Sequence, residues 1–176
     1  MLSATRDAEE SLPFGVLGFD SDNGSEFLNY HLLEYFTQRP KAVQFTRSRP
    51  YHKDDNAHVE QKNWMWPRQL LGYDRLENPE MVAPICKLFK EAWGPLHNFF
   101  VPSQKLESKW REGSHWRKRY EPAATAYQRL MRPGVLARVA RRELRDEYES
   151  LDPFVLAQKV EKQLKGILGR QMESEN

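Results

Sequence analysis

Residues 19–27 have the sequence Phe19-Asp20-Ser21-Asp22-Asn23-Gly24-Ser25-Glu26-Phe27, and this stretch decides the expected fold. The apolar run of residues 14–19 leads into it and predicts a β-strand that is buried on both faces. Asn23-Gly24 breaks that strand, and apolar residues then recur at helical spacing behind Ser25, a suitable helix N-cap. The pattern therefore places the carboxylate of Asp22 at the end of a strand, at the edge of a sheet.

A second acidic residue, Glu60, lies at the start of another predicted helix. It belongs to the run Asn56-Ala57-His58-Val59-Glu60-Gln61-Lys62-Asn63, which follows a polar loop containing Arg49-Pro50-Tyr51-His52. Two carboxylates that converge from separate elements suit a hard divalent cation, because Mg2+ prefers oxygen ligands and keeps coordination sites open for phosphate. Asp22 and Glu60 are therefore our candidate metal ligands and catalytic residues.

These two motifs together resemble the catalytic core of insertion-sequence transposases and retroviral-type integrases, which has an RNase H-like fold. The resemblance implies that Asp22 and Glu60 are the second and third members of an Asp, Asp, Glu triad that binds Mg2+ or Mn2+. They are 38 residues apart, which is compatible with the family. The family's first Asp belongs to an upstream strand that this sequence does not include. The resemblance thus implies an N-terminally truncated core that is inactive alone.

The residues themselves leave alternatives open. Asp22 also suits a turn-stabilising role, and an acid in the first turn of a helix, as at Glu60, often only complements the helix dipole. Asp20 either approaches the same metal or is a solvated or hydrogen-bonded neighbour. His52 and His58 lack a third His or Cys at ligand spacing, so we interpret them as polar loop or helix residues.

Charge is distributed unevenly along the 176 residues, although the formal net charge is only +2. Residues 1–30 contain six acids and one arginine, whereas residues 103–145 contain twelve lysines and arginines and four acids. A basic segment behind an acidic metal-site segment favours an enzyme that acts on DNA, and a solvated helical face is the alternative. The chain has one cysteine, which excludes a disulfide framework, and no apolar run suited to a membrane span. We expect a bacterial cytoplasmic, nucleoid-associated protein.

Basic and aromatic residues alternate between Lys105 and Tyr120 around a Gly113-Ser114 turn. This segment resembles the one that follows the catalytic core in this branch of transposases. Residues 122–130 then resemble a helix-starting Pro-x-Thr-x-Tyr-x-Arg-Leu element, with Ala124 and Ala126 inside it. Basic and amide residues of this segment and of the Glu60 helix are our candidate DNA-binding residues. They are Lys62, Asn63, Lys105, Lys109, Arg111, Arg117, Lys118 and Arg119. The alternative for each is a solvated surface position.

Three aromatic residues of the basic segment, Trp110, Trp116 and Tyr120, either stack on nucleic acid or form the small core of a β-rich module. The remaining elements follow from apolar spacing and from glycine and proline positions. We predict a strand at 42–46 and helices at 56–71, 79–93, 134–149 and 152–169. Pro67 should cause a kink near Trp66 in the first of these helices, and Gly94-Pro95 should end the second.

The predicted fold is α/β, a partial RNase H-like core followed by a basic, mostly helical C-terminal appendage. In one alternative, this appendage also contains a small β-rich module. The predicted domains are a ragged or disordered N-terminus at 1–12, the partial core at 13–97 and the DNA-binding appendage at 98–176.

The expected function is DNA integration or transposition by two-metal phosphodiester cleavage and strand transfer. One alternative is a non-catalytic DNA-binding fragment that regulates or competes with a full-length transposase. The other is an unrelated α/β nuclease that uses Asp20, Asp22 and Glu60. The expected partners are DNA, both element ends and target, and either a second copy of the chain or the full-length transposase.

Overall fold

The computed structural model describes residues 2–21, 30–48, 64–72 and 78–174. Contacts divide the chain into two compact units, Met1–Tyr73 and Asp74–Asn176. Both α-helices and short β-strands are present, so the fold is mixed α and β. No helix in the described ranges is both long and apolar enough to cross a membrane.

A β-α-β arrangement forms the centre of the first unit. Strand β1 (Gly18–Ser21) pairs in parallel with strand β2 (Gln44–Arg47), and a helix lies in the connection between them, Tyr30–Thr37. Parallel neighbours need such a crossover, because a tight turn joins only antiparallel strands. The predicted order of strand, helix and strand is confirmed.

The crossover helix packs its apolar side chains against one face of the two strands. Leu32 and Phe36 are fully buried, and the Phe19 ring stacks on Phe36 with 4.6 Å between ring centroids. Phe45, the ladder partner of Phe19, lies 5.7 Å from it. Because strand residues alternate between faces, Asp20 and its partner Thr46 lie on the opposite face.

Both strands begin later in the chain than predicted. The run of residues 14–19 is not a strand buried on both faces, since the side chain of Leu17 is 87% exposed and pairing begins only at Gly18. The second strand excludes Val43, because the Val43 amide donates to the Phe36 carbonyl oxygen, 2.8 Å away, near the end of the crossover helix. The Val43 amide is therefore used at the end of the helix and is not available for a hydrogen bond between the strands, as the prediction had required.

Helix α1 (Leu2–Glu10) occupies the N-terminal residues for which the sequence indicated a ragged end, and the crossover helix is therefore α2. The Glu9 carboxylate accepts hydrogen bonds from Arg39 Nη1 and Nη2, at 2.6 and 2.9 Å, and from the Tyr35 hydroxyl at 2.8 Å. The Arg39 guanidinium also covers the Tyr35 ring, 4.3 Å from its centroid. The bond from Tyr35 attaches α1, which has no buried residue of its own, to α2, and the bidentate pair attaches it to Arg39 just after α2.

Helix α3 consists of a π-helical turn, Trp64–Arg68, and a short α-helical end, Gln69–Leu71. Pro67 lies within the π turn. A proline cannot donate a backbone hydrogen bond, and the extra residue of a π turn is one way for a helix to accommodate it. The predicted distortion near Trp66 is confirmed, whereas the predicted start of this helix at residue 56 lies outside the described residues.

The second unit is built on a long helical segment, α4, at residues 79–100. It comprises a 3-10 turn, an α-helical stretch, a π turn and a second α-helical stretch: Pro79–Met81, Val82–Leu88, Phe89–Trp93 and Gly94–Phe100. Later helices are α5 (Ala126–Leu130), α6 (Arg138–Ser150) and α7 (Pro153–Ser174), of which α7 packs along α4. The buried apolar side chains of this unit are Met81, Leu88, Ala92, Phe99, Leu144, Leu156 and Ile167.

The prediction that Gly94-Pro95 ends the helix is wrong. In the π turn the Gly94 amide donates to the Phe89 carbonyl oxygen, and a Cβ on residue 94 would lie 2.6 Å from that oxygen, so glycine is required. Pro95 then falls in the first turn of the next α-helical stretch, where a missing amide costs little. Residue 97, the predicted end of the catalytic core, consequently lies inside α4.

The two C-terminal helices are confirmed with small shifts of their ends. Gly134 has a φ of +81°, a left-handed conformation outside the helix, so α6 begins at Arg138 rather than at residue 134. The Asp152 carboxylate accepts from the Phe154 amide at 2.7 Å and caps α7, as the Asp152-Pro153 pair predicts.

We expect Glu9→Gln to lower the free energy of unfolding by about 1 kcal/mol after allowance for solvent screening. Hydrogen bonds from Arg39 and then Tyr35 lower the pKa of Glu9 from 4.5 to about 2. Since the pKa is lower in the folded state, the stabilisation is complete above the unfolded-state pKa and is lost as the pH falls toward 2. Urea unfolding of both proteins, followed by circular dichroism at about pH 6 and about pH 3, measures this difference.

Glu10→Gln is the matched control, because Glu10 is an exposed neighbour on the same helix. The stability difference between the wild type and Glu9→Gln should shrink at the lower pH, and Glu10→Gln should show little difference at either pH. Equal effects of the two variants would contradict a structural role for the Glu9–Arg39 pair.

Candidate nucleic-acid interface

The predicted metal and catalytic residues Asp22 and Glu60, and the predicted DNA-binding residues Lys62 and Asn63, lie outside the described residues. Asp20 is described, at the next to last position of β1. Its Oδ1 accepts a hydrogen bond from the Thr46 hydroxyl at 2.8 Å, which matches the interpretation of Asp20 as a hydrogen-bonded neighbour. Among the described residues, no group of three or more His, Cys, Asp or Glu side chains is placed to hold a metal ion.

The other predicted DNA-binding residues lie on or next to a β-hairpin of the second unit. Strand β3 (Leu106–Glu112) pairs in antiparallel fashion with strand β4 (His115–Tyr120). Gly113, in the two-residue turn, has a φ of +62°, a conformation that glycine adopts without steric cost. Every residue of both strands is exposed, so the hairpin is a ribbon with two solvent-accessible faces.

The ladder contains one irregularity, a bulge at Glu107. Ser108 pairs with Arg119, but Leu106 pairs with Tyr120, so Glu107 has no partner in the ladder. Residues that face each other across a ladder share a face, and neighbours along a strand alternate. The register therefore shows, both before and after the bulge, to which of the two faces of the hairpin each paired residue belongs.

One face, which we call the cationic face, contains Leu106, Lys109, Arg111, Trp116, Lys118 and Tyr120. Lys109 Nζ lies 4.3 Å from the centroid of the Trp116 ring, and Arg111 Nε donates to the Gly113 carbonyl oxygen at 3.0 Å. Within the part of the chain that the structure describes, no carboxylate forms an ion pair with Lys109, Arg111 or Lys118. The cationic face therefore carries three uncompensated positive charges.

The opposite face, which we call the paired face, contains Ser108, Trp110, Glu112, His115, Arg117 and Arg119. Arg117 Nε lies 2.6 Å from Glu112 Oε2, and Arg119 Nε lies 2.9 Å from Oε2 of the bulged Glu107. These ion pairs are solvent-exposed and contribute little to stability, but each places a negative charge beside a positive one. The paired face is close to neutral.

The structure thus separates the predicted basic residues into groups. Lys109, Arg111 and Lys118 share the cationic face, whereas Arg117 and Arg119 are engaged by glutamates on the paired face. Lys105 precedes β3, and its carbonyl oxygen accepts from the Glu121 amide at 2.9 Å. The sequence alone predicted the same DNA-binding role for all six of these residues.

The aromatic residues of the hairpin do not form a small core. Trp110, Trp116 and Tyr120 are 47%, 57% and 47% exposed, respectively. An isolated two-stranded hairpin encloses no interior in which such rings are buried. The prediction that these rings form the small core of a β-rich module is therefore wrong, and stacking on nucleic acid stays a prediction.

Arg129 in α5 holds the base of the hairpin. Its Nη1 donates to the Ala124 carbonyl oxygen at 2.6 Å, and its Nη2 donates to the Ser103 carbonyl oxygen at 2.5 Å. Ser103 and Ala124 form a β-bridge just below the two strands. Arg129 Nε also lies 3.8 Å from Glu121 Oε2. The fork geometry of one guanidinium therefore connects both ends of the hairpin to α5.

The neighbours of Arg129 explain the rest of the element at residues 122–130. The Thr125 hydroxyl accepts from the Gln128 amide at 3.1 Å, and the Gln128 side chain accepts from the Thr125 amide at 2.9 Å, which is a capping box. The Tyr127 ring stacks on Tyr148 of α6, with 4.4 Å between centroids. The sequence showed this element only as a helix start, and its role in holding the hairpin was missed.

Comparison with known proteins gives little further information. No protein-family model matches the chain, and no solved structure matches it. The chain is similar to the uncharacterized protein y4rM of Sinorhizobium fredii (strain NBRC 101917 / NGR234), with 39% identity over 124 residues. The matched region covers 69% of this chain and 34% of y4rM. The chain thus spans about a third of the length of the curated relative that it matches.

We expect Arg129→Gln to loosen the hairpin without unfolding the second unit. Loss of the hydrogen bonds to the Ser103 and Ala124 carbonyl oxygens should increase amide hydrogen exchange in β3 and β4 about tenfold. Exchange in α7 should be unchanged. Hydrogen exchange read by mass spectrometry over peptides that cover residues 106–120 provides the measurement.

Arg132→Gln removes a guanidinium that lies 3.5 Å from the same Glu121 but is 52% exposed, so it serves as the matched control. It should leave exchange in the hairpin within about twofold of the wild type. Equal protection of β3 and β4 in both variants would show that Arg129 does not hold the hairpin.

Proposed function

We propose that this chain is a DNA-binding part of a transposase of the integrase class, and that its β3–β4 hairpin contacts the DNA. The observation that carries the proposal is the cationic face, on which Lys109, Arg111 and Lys118 have no carboxylate partner among the described residues. Lysines and arginines of this kind bind phosphates and release the counterions condensed on DNA. The charges of the paired face are already compensated.

The shape of the hairpin also favours DNA as the ligand. The major groove of B-DNA admits a two-stranded β-ribbon, and this ribbon is exposed on both faces and held at its base by Arg129. Contacts to phosphate position a protein on DNA but do not read sequence. We therefore expect weak binding to duplex DNA, with strong dependence on salt and little preference for sequence.

The β-α-β arrangement of the first unit supports the transposase part of the proposal. β1 ends at Ser21, so Asp22 immediately follows a strand that has a parallel neighbour. Parallel strands with a helical crossover occur in sheets of the RNase H-like type, and an acid at the carboxyl end of such a strand is in a common position for a site. We propose that this unit belongs to an RNase H-like core.

In this proposal Asp22 and Glu60 hold Mg2+ or Mn2+, and Lys62 and Asn63 contact DNA phosphates. The ion, when bound, would stabilise negative charge at the phosphodiester. The described residues do not form this site by themselves, because Asp20 is engaged by Thr46 and no cluster of three possible ligands is found among them. The part of the proposed function that the described residues support is DNA binding.

A second candidate function is that of a non-catalytic DNA-binding protein that competes with or regulates a full-length transposase. One observation favours it: the cationic face lies wholly in the second unit, so DNA binding there requires no catalytic carboxylate. In both cases the proposed setting is the nucleoid of a bacterial cytoplasm, with a second copy of the chain or the full-length transposase as protein partner.

A strand-nicking and end-joining assay with Mn2+ tests for catalysis by the chain alone. The truncated transposase core and the regulatory fragment both predict no reaction. Nicking that disappears in Asp20→Asn would favour the unrelated nuclease.

Matched charge substitutions on the two faces test the DNA interface. Lys109→Gln/Lys118→Gln and Arg117→Gln/Arg119→Gln each remove two positive charges from the hairpin. If the cationic face contacts phosphates, the first pair should reduce the slope of log K against log salt by about 2, and the second pair by less than about 1. Fluorescence anisotropy with labelled duplex DNA over a range of salt concentrations measures both slopes.

The two variants have the same net charge, so long-range attraction affects them alike and only the location of the charge differs. Equal slopes for the two variants would contradict an interface on the cationic face. A wild-type affinity that is independent of salt would contradict DNA binding by the hairpin altogether.

Asp22→Asn and Glu60→Gln test the proposed metal ligands. Each should weaken Mn2+ binding to the chain at least about tenfold, because a divalent ion loses an anionic oxygen ligand. Isothermal titration calorimetry with Mn2+ alone measures the affinity without any DNA reaction. Glu26→Gln changes an acid four residues after Asp22 in the sequence and should bind Mn2+ as the wild type does. Unchanged binding in both Asp22→Asn and Glu60→Gln would remove these residues from the metal site.

A further inference from the structure

Aromatic and cationic side chains alternate along the cationic face. On β4 the order is Trp116, Lys118 and Tyr120, and the β3 residues opposite them are Arg111, Lys109 and Leu106. About half of the Trp116 and Tyr120 surface is exposed, at 57% and 47%. The face therefore offers two ring surfaces, with cations between and beside them.

Charge alone explains binding to duplex phosphates but gives these rings no role. The π-face of a base is covered by its neighbours in a duplex and becomes available only when the base is unpaired and unstacked. A positively charged surface with interspersed aromatic rings is the composition of single-strand binding platforms, where each ring stacks on one base. Exposed rings on a cationic ribbon are thus suited to unpaired DNA.

The spacing of the rings is also unsuited to stacked bases. Trp116 and Tyr120 are four residues apart on one strand, which corresponds to about 13 Å at the usual rise. Successive bases along one strand of a duplex are separated by roughly 3.4 Å. Two rings at the larger spacing fit bases of an extended strand whose stacking has been opened, with a phosphate near Lys118 between them.

The Lys109 ammonium supports the same arrangement. It lies over the Trp116 ring at 4.3 Å from the centroid. A cation over one face of the ring leaves the opposite face for a base, and it places a phosphate-binding group close to that base. On the paired face, Trp110 pairs with Arg117 across the ladder, but that arginine is bound to Glu112.

We propose that the cationic face binds single-stranded DNA in preference to duplex DNA, with Trp116 and Tyr120 each stacking on an unpaired base and Lys109 and Lys118 contacting the phosphates between them. This proposal rests on the proposed function, since it names the form of DNA that the hairpin contacts. It assigns roles to two aromatic residues that phosphate binding leaves unused.

The test compares the full chain with two tryptophan variants, using a labelled single-stranded oligonucleotide of mixed sequence and the duplex made from it. The wild type should bind the single strand at least about fivefold more tightly than the duplex. Trp116→Leu should lose most of that preference, while its affinity for duplex should change less than about twofold. Trp110→Leu removes the same side chain from the paired face and should retain the preference.

Trp116→Tyr keeps a ring at this position and should retain most of the preference for the single strand. This variant separates stacking from damage to the hairpin, because it preserves the aromatic ring and the β-strand propensity of the position. Hydrogen exchange over residues 106–120 in each variant confirms that the hairpin is formed.

The outcomes distinguish this inference from the proposed function. Duplex bound as tightly as the single strand, or equal loss of preference in Trp116→Leu and Trp110→Leu, would overturn the single-strand proposal and leave DNA binding intact. Binding to neither form would overturn both. Displacement of the single strand by polyglutamate at an equal concentration of negative charge would show that the face recognises charge only, which also overturns the proposal.

Discussion

A two-stranded ribbon has no interior, so the β3–β4 hairpin depends on the hydrogen bonds that hold its base. Arg129 supplies two of them by donating to carbonyl oxygens on both sides of the hairpin, at Ser103 and Ala124. Arg129 is in turn positioned by α5, which is capped by Thr125 and attached through Tyr127 to the aromatic residues of α4 and α6. The apolar core of the second unit thus determines where an entirely exposed element begins.

Local signals in the sequence were sufficient for most elements of the fold. Apolar spacing located α2, α6 and α7, and the position of Pro67 located a distortion in α3. The errors in the predicted elements occurred where contacts beyond the local sequence determine the conformation. The exposed run before Gly18 is apolar without being a strand, and the π turn before Gly94 lets a helix pass through a Gly-Pro pair that usually ends one. Helix α1 depends on Glu9 and Arg39, which are 30 residues apart and show no local pattern.

The candidate interface was predictable as a segment but not as a surface. Composition identified the basic and aromatic residues between Lys105 and Tyr120, since phosphate binding uses cations and base stacking uses aromatic rings. Their division into a cationic face and a paired face depends on the register of the ladder and on which arginines reach a glutamate. Neither property follows from spacing along one strand, because a shift of one residue moves every side chain to the other face.

The bulge at Glu107 shows what such a shift does to the charge of the hairpin. In a ladder without the bulge, residues 107, 109 and 111 would share a face, and Glu107 would lie among Lys109, Arg111 and Lys118. The extra residue instead brings Leu106 opposite Tyr120 and leaves Glu107 beside Arg119. The net charge of the surface is therefore controlled by the number of residues in β3 as well as by their identity. A homologous ribbon with one residue fewer before Ser108, in which Glu107 lay opposite Tyr120, would present a less positive face, so insertions and deletions at this position carry functional information that an alignment of residue types alone would overlook.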